Sequence, residues 1–196
     1  QWKKVEDAFP TPLKVTEKVV PQLTDTFRDL TAYEICAILC LPDQSSFIEV
    51  EVSSVKLWNI EYHKEKPFTF FDDYENEITS AGLDPSKPNV FAFSDSSGEV
   101  QLFDMSSNQT VNSFSTSKFG DPQFADLSVT SLTFKPTGDL FVARSFTHLQ
   151  VWDLRNNIKP LAAQEVHHFP ERGNYLHSDS NHDIFGSLFL PSDEIY

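Results

Sequence analysis

Leu149-Gln-Val-Trp-Asp-Leu-Arg155 is one copy of a pattern that this chain repeats. Val55-Lys-Leu-Trp-Asn-Ile-Glu61 and Val100-Gln-Leu-Phe-Asp-Met-Ser106 follow it, and Gln1-Trp2-Lys3-Lys4-Val5 is a clipped fourth copy. Before the aromatic residue, each full copy alternates apolar and polar side chains, the period of a strand with one face covered. A second element keeps register upstream. Ile35-Cys-Ala-Ile38 lies 23 residues before Trp58, Ile78-Thr-Ser-Ala81 lies 25 before Phe103, and Val129-Thr-Ser-Leu132 lies 23 before Trp152. Two elements recurring in one order and at nearly one spacing mark consecutive copies of one supersecondary unit.

The aromatic positions Trp2, Trp58, Phe103 and Trp152 are separated by 56, 45 and 49 residues, close to the roughly 40–45 residues of a WD-type propeller blade. The expected fold is therefore all-β: a single partial WD-repeat β-propeller over residues 1–196, with blades at about 13–61, 62–117 and 118–166 and partial blades at 1–5 and 183–196. Turn chemistry supports the divisions. Leu41-Pro-Asp-Gln-Ser45, Asp84-Pro-Ser-Lys-Pro88, Asp95-Ser-Ser-Gly98 and Lys135-Pro-Thr-Gly-Asp139 separate the strand runs, and Gly98 stands where a positive φ is required. Lys14-Val-Thr-Glu-Lys-Val-Val20 reads as an edge strand, and Leu161-Ala-Ala-Gln-Glu-Val166 as an outer strand. A propeller closes with about four to eight blades, so further blades are expected on both sides.

Composition narrows the function classes. The chain of 196 residues carries a formal net charge of -14 and has a pI near 4.7. Phosphate-binding surfaces rely on Lys and Arg, so neither nucleic acid nor an anionic membrane is an expected partner, and a basic protein segment is. No run approaches the ~20 apolar residues of a membrane span, and the opening residues lack the apolar core of a signal peptide. Cys36 and Cys40 are the only cysteines. Four apart in a strand, they read as reduced and buried, which points to the cytosol or nucleus and makes the Asn108-Gln-Thr110 sequon silent. His167, His168, His177 and His182, with Asp179 and Asp183, match no metal-ligand spacing. There is no nucleophile elbow or phosphate-cradling glycine loop, so no cofactor and no catalysis are expected.

The runs Ser94-Asp-Ser-Ser-Gly-Glu-Val-Gln-Leu-Phe-Asp-Met105, Ala143-Arg-Ser-Phe-Thr-His-Leu-Gln-Val-Trp-Asp-Leu154 and Glu165-Val-His167, with Asp84-Pro85, resemble the central blades of the B-type, WD-repeat (55 kDa class) regulatory subunits of serine/threonine protein phosphatase 2A. The likeness covers essentially the whole chain. It implies a non-catalytic subunit that sits with a scaffold (A) and a catalytic (C) subunit and recruits basic protein substrates on an acidic top surface. Residue by residue, it places Tyr33 in the substrate-groove loop and Phe71, Asp72, Asp73, Tyr74, Glu75 and Glu77 on the loop that contacts substrate. Phe124 falls on a groove aromatic and Asp179 on a groove acid. Where the family has paired aspartates this chain has Glu51 and Val52, so one acid remains. Arg144-Ser-Phe-Thr147 replaces Arg-Asp-Tyr-Leu, and the segment from Trp2 to Tyr33 is shorter than the family's.

From the residues alone, the four acids Asp72, Asp73, Glu75 and Glu77 could steer a basic peptide or form a solvated loop. Phe71 and Tyr74 could anchor a partner or pack beneath that loop. The alternative function is a generic WD-repeat interaction scaffold or adaptor, including a decayed regulatory-subunit copy that no longer assembles.

Overall fold

The computed structural model describes residues 34–62, 66–117, 128–166, 186–189 and 195. Tyr33, Phe124, Asp179, the edge strand expected at 14–20 and the copies at 1–5 and 183–185 lie outside them. The strands are β1 (Ile35–Cys40), β2 (Ser46–Glu51), β3 (Val55–Asn59), β4 (Phe68–Phe71), β5 (Ile78–Leu83), β6 (Val90–Asp95), β7 (Glu99–Asp104), β8 (Gln109–Ser115), β9 (Val129–Phe134), β10 (Leu140–Ser145), β11 (His148–Asp153) and β12 (Ala162–Glu165). Each run of four forms one antiparallel sheet with its strands in sequence order. No α-helix occurs among the described residues. The first strands β1, β5 and β9 lie beside one another, so the sheets stack as successive blades of a propeller.

The repeated aromatic residues are equivalent in space. Trp58, Phe103 and Trp152 sit in third strands, opposite Phe47, Phe91 and Phe141 of the second strands. Their rings pair at 6.3, 5.4 and 6.3 Å, contacts that add about 0.5–1.5 kcal/mol each to area burial. The buried indoles keep their hydrogen bonds: Trp58 Nε1 donates to Glu49 Oε2 at 2.6 Å, and Trp152 Nε1 to Gln150 Oε1 at 3.1 Å.

Strand β6 shows how the pleat builds two cores. Phe91 and Phe93, with Phe103, meet Ile48, Val50 and Val55 of the first sheet, while Val90 and Ala92, with Val100 and Leu102, meet Val129, Leu132, Phe141 and Trp152 of the third. Both faces of β6 are therefore buried along its length, each large apolar side chain contributing about 1.5–3 kcal/mol.

The joints between sheets carry a repeated clasp. Pairing of first and second strands slips at Ile35/Ala37, at Ile78/Ser80 and opposite Arg144/Ser145, which leaves Cys36, Thr79 and Thr130 as the extra residues. Cys36 Sγ donates to the Ile78 carbonyl at 3.0 Å, and Thr79 Oγ1 donates to the Val129 carbonyl at 2.7 Å, so each sheet is tied to the first residue of the next. Ser80 Oγ accepts the Leu132 amide, and Ser131 Oγ accepts the Ser187 amide. Ser187 thus stands to the third sheet as Leu132 stands to the second, in the register of the fourth copy.

Two expectations change, and one outer strand is new. Phe68–Phe71, beyond the boundary drawn at 61, pairs with β3 as the outer strand of the first sheet. Gln109–Ser115, unmarked by any apolar alternation, is the outer strand of the second. Cys40 is exposed and Cys36 only half-buried, although both remain free thiols. The bulge at Cys36 takes it off the regular pleat, which removes the premise that residues four apart share a face.

Candidate protein-binding face

Strand direction sorts the connections to two ends of the blades. Glu34, the β2–β3 turn, the β4–β5 loop at 72–77, the β6–β7 turn and the β10–β11 turn share one end; the remaining turns share the other. The loops at the first end are bonded together: the Tyr74 amide donates to Ser53 O, the Ile78 amide to Val52 O and the Ser96 amide to Glu77 O, at 2.7–2.8 Å.

The exposed cations follow this division, although Asp43, Glu61 and Asp139 are exposed at the second end as well. Glu34, Asp72, Asp73, Glu75, Glu77 and Glu165 are exposed at the first end, with Glu99 half-buried. The described exposed cations Lys66, Lys87, Arg155 and Lys159, and the half-buried Lys135, all lie at the other. Arg144, at the end of β10, is half-buried. Between the starts of β1, β5 and β9 the acidic end opens into a cleft of about 240 Å³, lined by Glu34, Glu77, Cys36, Thr79, Ser128 and Thr130 among others. Burial, reinforced by Glu34, Glu51 and Glu77, pushes the Cys36 thiol up to about 11. It therefore stays protonated, a hydrogen-bond donor rather than a nucleophile.

The 72–77 loop is held by a carboxylate that sequence reading did not single out. Asp95 is 1% exposed. Its Oδ1 accepts the Ser97 amide at 3.0 Å, the Ser97 hydroxyl at 2.6 Å and the Glu99 amide at 3.2 Å, closing the β6–β7 turn over Gly98, whose φ is 83°. Its Oδ2 accepts the Tyr74 hydroxyl at 3.1 Å and Asn76 Nδ2 at 3.2 Å, which pins the loop. Gln101 Nε2 donates in turn to the Tyr74 oxygen. The signal that could have revealed this is Asp95-Ser-Ser-Gly98, an Asp whose side chain bonds the backbone two residues on.

The site residues implied by the resemblance divide accordingly. Asp72, Asp73, Glu75 and Glu77 are exposed together, with Asp73 in the left-handed region at φ 57°, a conformation Asp adopts more readily than most residues. Phe71 and Tyr74 are not available as partner anchors: both rings turn under the loop onto Phe93, at 5.2 and 5.4 Å. Burial and the Asp95 carboxylate push the Tyr74 phenol well above its ordinary pKa. Glu51 is corrected more sharply. It is fully buried, its Oε2 accepting Ser54 Oγ at 2.6 Å and pairing with Lys56 Nζ at 3.0 Å, so it closes the β2–β3 turn and faces no partner.

Among the described residues no group of His, Cys, Asp and Glu could hold a metal ion, and no helix is long and apolar enough to cross a membrane. What this end offers chemically is a field of carboxylates on a rigid edge.

Comparison with known proteins supplies the relatives. No family model matches the chain. The protein phosphatase PP2A 55 kDa regulatory subunit of Drosophila melanogaster is 27% identical over 181 residues, which is 81% of this chain and 36% of that protein. The serine/threonine-protein phosphatase 2A regulatory subunit of Dictyostelium discoideum is 26% identical over 82% of this chain and 37% of its own length. A serine/threonine protein phosphatase 2A 55 kDa regulatory subunit of Arabidopsis thaliana, the beta isoform, is 29% identical over 78% of this chain and 34% of its own length. The chain thus spans about a third of the length of the curated relatives it matches. With three four-stranded sheets in sequence order, the chain is similar across about four-fifths of its length to the 55 kDa regulatory subunits of protein phosphatase 2A.

Proposed function

We propose that this chain is a non-catalytic, substrate-recruiting part of a protein phosphatase 2A-type complex. It assembles with scaffold (A) and catalytic (C) subunits in the cytosol or nucleus and draws basic protein segments to its acidic end. The observation that carries this reading is the distribution of cations: Asp72, Asp73, Glu75 and Glu77 project from one end, and the exposed lysines and Arg155 among the described residues all lie at the other. Such a field raises the encounter rate of a basic partner and orients it.

The test is surface plasmon resonance of the full-length protein with Lys/Arg-rich peptides at low and high salt. Exposed charges are screened over about 8 Å at physiological salt, so Asp72→Asn with Asp73→Asn should slow association and flatten its salt dependence. Each rim charge is worth under about 1 kcal/mol, so the double change is the informative one. An unchanged on-rate and salt slope would overturn the recruiting face.

The burial of Glu51 favours a second reading, a WD-repeat interaction scaffold outside the phosphatase complex, because the one acid left at the family's paired position is withdrawn from the surface. Affinity purification of the full-length protein separates the two. Co-purification of scaffold and catalytic subunits supports the first reading, and their absence the second.

A further inference from the structure

We propose that the cleft between the starts of β1, β5 and β9 binds a single alkylammonium group, the end of a lysine side chain. The cleft holds about 240 Å³ between Glu34 and Glu77, and its lining presents acceptors because its own donors are already spent. The Cys36 thiol donates to the Ile78 carbonyl at 3.0 Å, Thr79 Oγ1 to the Val129 carbonyl at 2.7 Å and Thr130 Oγ1 to the Arg144 carbonyl at 3.2 Å. The amides at its edge are committed as well, Val52 to Glu34 O at 3.1 Å and Ile78 to Val52 O at 2.7 Å. Both threonine oxygens therefore turn only lone pairs toward a ligand, and Ser128 adds a hydroxyl that serves in either sense.

A ligand that meets two carboxylates and these oxygens must bring donors and no acceptor. Carboxylates, phosphates and neutral amides all bring acceptors, whereas a lysine ammonium brings three donors and none. The apolar part of the lining fits the same group. Ile35, Val52 and Ile78 line the cleft, a surface of the kind along which lysine lays its methylene stem while the charged head stays with its partners.

The choice of ammonium over guanidinium follows from where the acceptors stand. Glu34 precedes β1, Glu77 precedes β5 and Thr130 lies in β9, so the acceptors belong to three successive sheets. A compact charge with three rotatable donors can reach all three, whereas a guanidinium spends its planar fork on one carboxylate. The source of the group rests on the recruiting reading given above: a basic segment drawn to this end places one lysine in the cleft.

The experiment is isothermal titration calorimetry of the full-length protein at low salt. The probes are a glycine–serine peptide carrying one lysine, its Nζ-acetylated form and the same peptide with arginine. The lysine peptide should bind, acetylation should abolish binding, and the arginine peptide should bind more weakly. Glu34→Gln with Glu77→Gln should weaken the lysine peptide about tenfold. Both residues are exposed, so the neutral isosteres leave the fold in place. Asp72→Asn with Asp73→Asn removes the same charge outside the cleft and should weaken it no more than about twofold. Competition by free butylammonium extends the site to amines from any source, and failure to compete confines it to lysine within a chain. Equal weakening by the two double variants assigns the lysine to the general field and overturns the cleft, as does absent binding of the lysine peptide or undiminished binding of its acetylated form. Equal or tighter binding of the arginine peptide overturns the choice of ammonium. The recruiting face fails separately, when Lys/Arg-rich peptides are indifferent to Asp72 and Asp73 whatever the cleft variant does.

Discussion

The two ends of the blades use the same residue types for opposite purposes. At the end away from the acidic face, the aspartates are consumed by their own turns. Asp43 accepts the Ser45 and Ser46 amides, Asp104 the Ser106 amide and the Ser107 hydroxyl, Asp84 the Ser86 amide and hydroxyl, and Asp153 the Arg155 amide and guanidinium. At the acidic end one aspartate, Asp95, does that work for two loops, and Asp72, Asp73, Glu75 and Glu77 are left to face solvent. Net charge alone does not distinguish a carboxylate that builds a turn from one that presents a field. The hydrogen bonds do.

The sharpest break in this comparison is Asp95→Ala. It removes five hydrogen bonds from a buried carboxylate and leaves the Tyr74 and Asn76 donors without their acceptor, so we expect a loss of about 3 kcal/mol in urea-induced unfolding. Gly138→Ala should follow, at about 2 kcal/mol in the same assay. Gly138 has φ 71°, and an added Cβ would lie 2.4 Å from the Ser86 side chain and 2.7 Å from Asp84 Oδ1, where two turns of the mixed-charge end meet.

The third prediction separates the ends by pH. Hydrogen bonds from their turns hold Asp43, Asp104 and Asp139 below the ordinary carboxylate range, and the Arg155 guanidinium and amide take Asp153 down to about 2. A folded pKa below the unfolded value gives stability that is fully present above pH 3.8 and lost as pH falls through the folded pKa. Melting temperature followed from pH 5 to pH 2 should therefore fall less steeply in Asp153→Asn than in the parent. The smallest effect belongs to the presented acids: Asp72→Asn with Asp73→Asn should change unfolding free energy by no more than about 0.5 kcal/mol. A larger loss would mean that they too are structural.

Much of the architecture was legible because the repeat writes it three times. The aromatic pairs Phe47–Trp58, Phe91–Phe103 and Phe141–Trp152 follow from one spacing, and the turn at Gly98 from one dipeptide. The outer strands were less visible. β8 is covered by little and needs no alternation, and β4 falls across the boundary that the period suggests. At the candidate face the four acids are exposed on one loop, Glu51 is buried, and Phe71 and Tyr74 take the packed one of the two arrangements that the sequence leaves open. Glu51 reads as a surface acid until Lys56, five residues away, is seen to close on it. Phe71 and Tyr74 sit among acids in sequence and among phenylalanines in space, because the turn from β4 carries them over the second sheet. Cys40 could be read as buried only by assuming a regular pleat.

The clasps between sheets have a mechanical consequence. At the second joint the ties are hydroxyls, Thr79 to Val129 and Ser80 to Leu132. At the first joint the equivalent positions are a thiol, Cys36, and Ala37, which has nothing to accept a bond. A thiol is a weak donor, so this pair of side-chain ties is weaker at the first joint than at the second, and the Ile78 amide's bond to Val52 O carries more of the first joint's hold. Glu34 stands on one side of that joint and Glu77 on the other. Both carboxylates line the cleft, so its width at that point follows the spacing of the first two sheets.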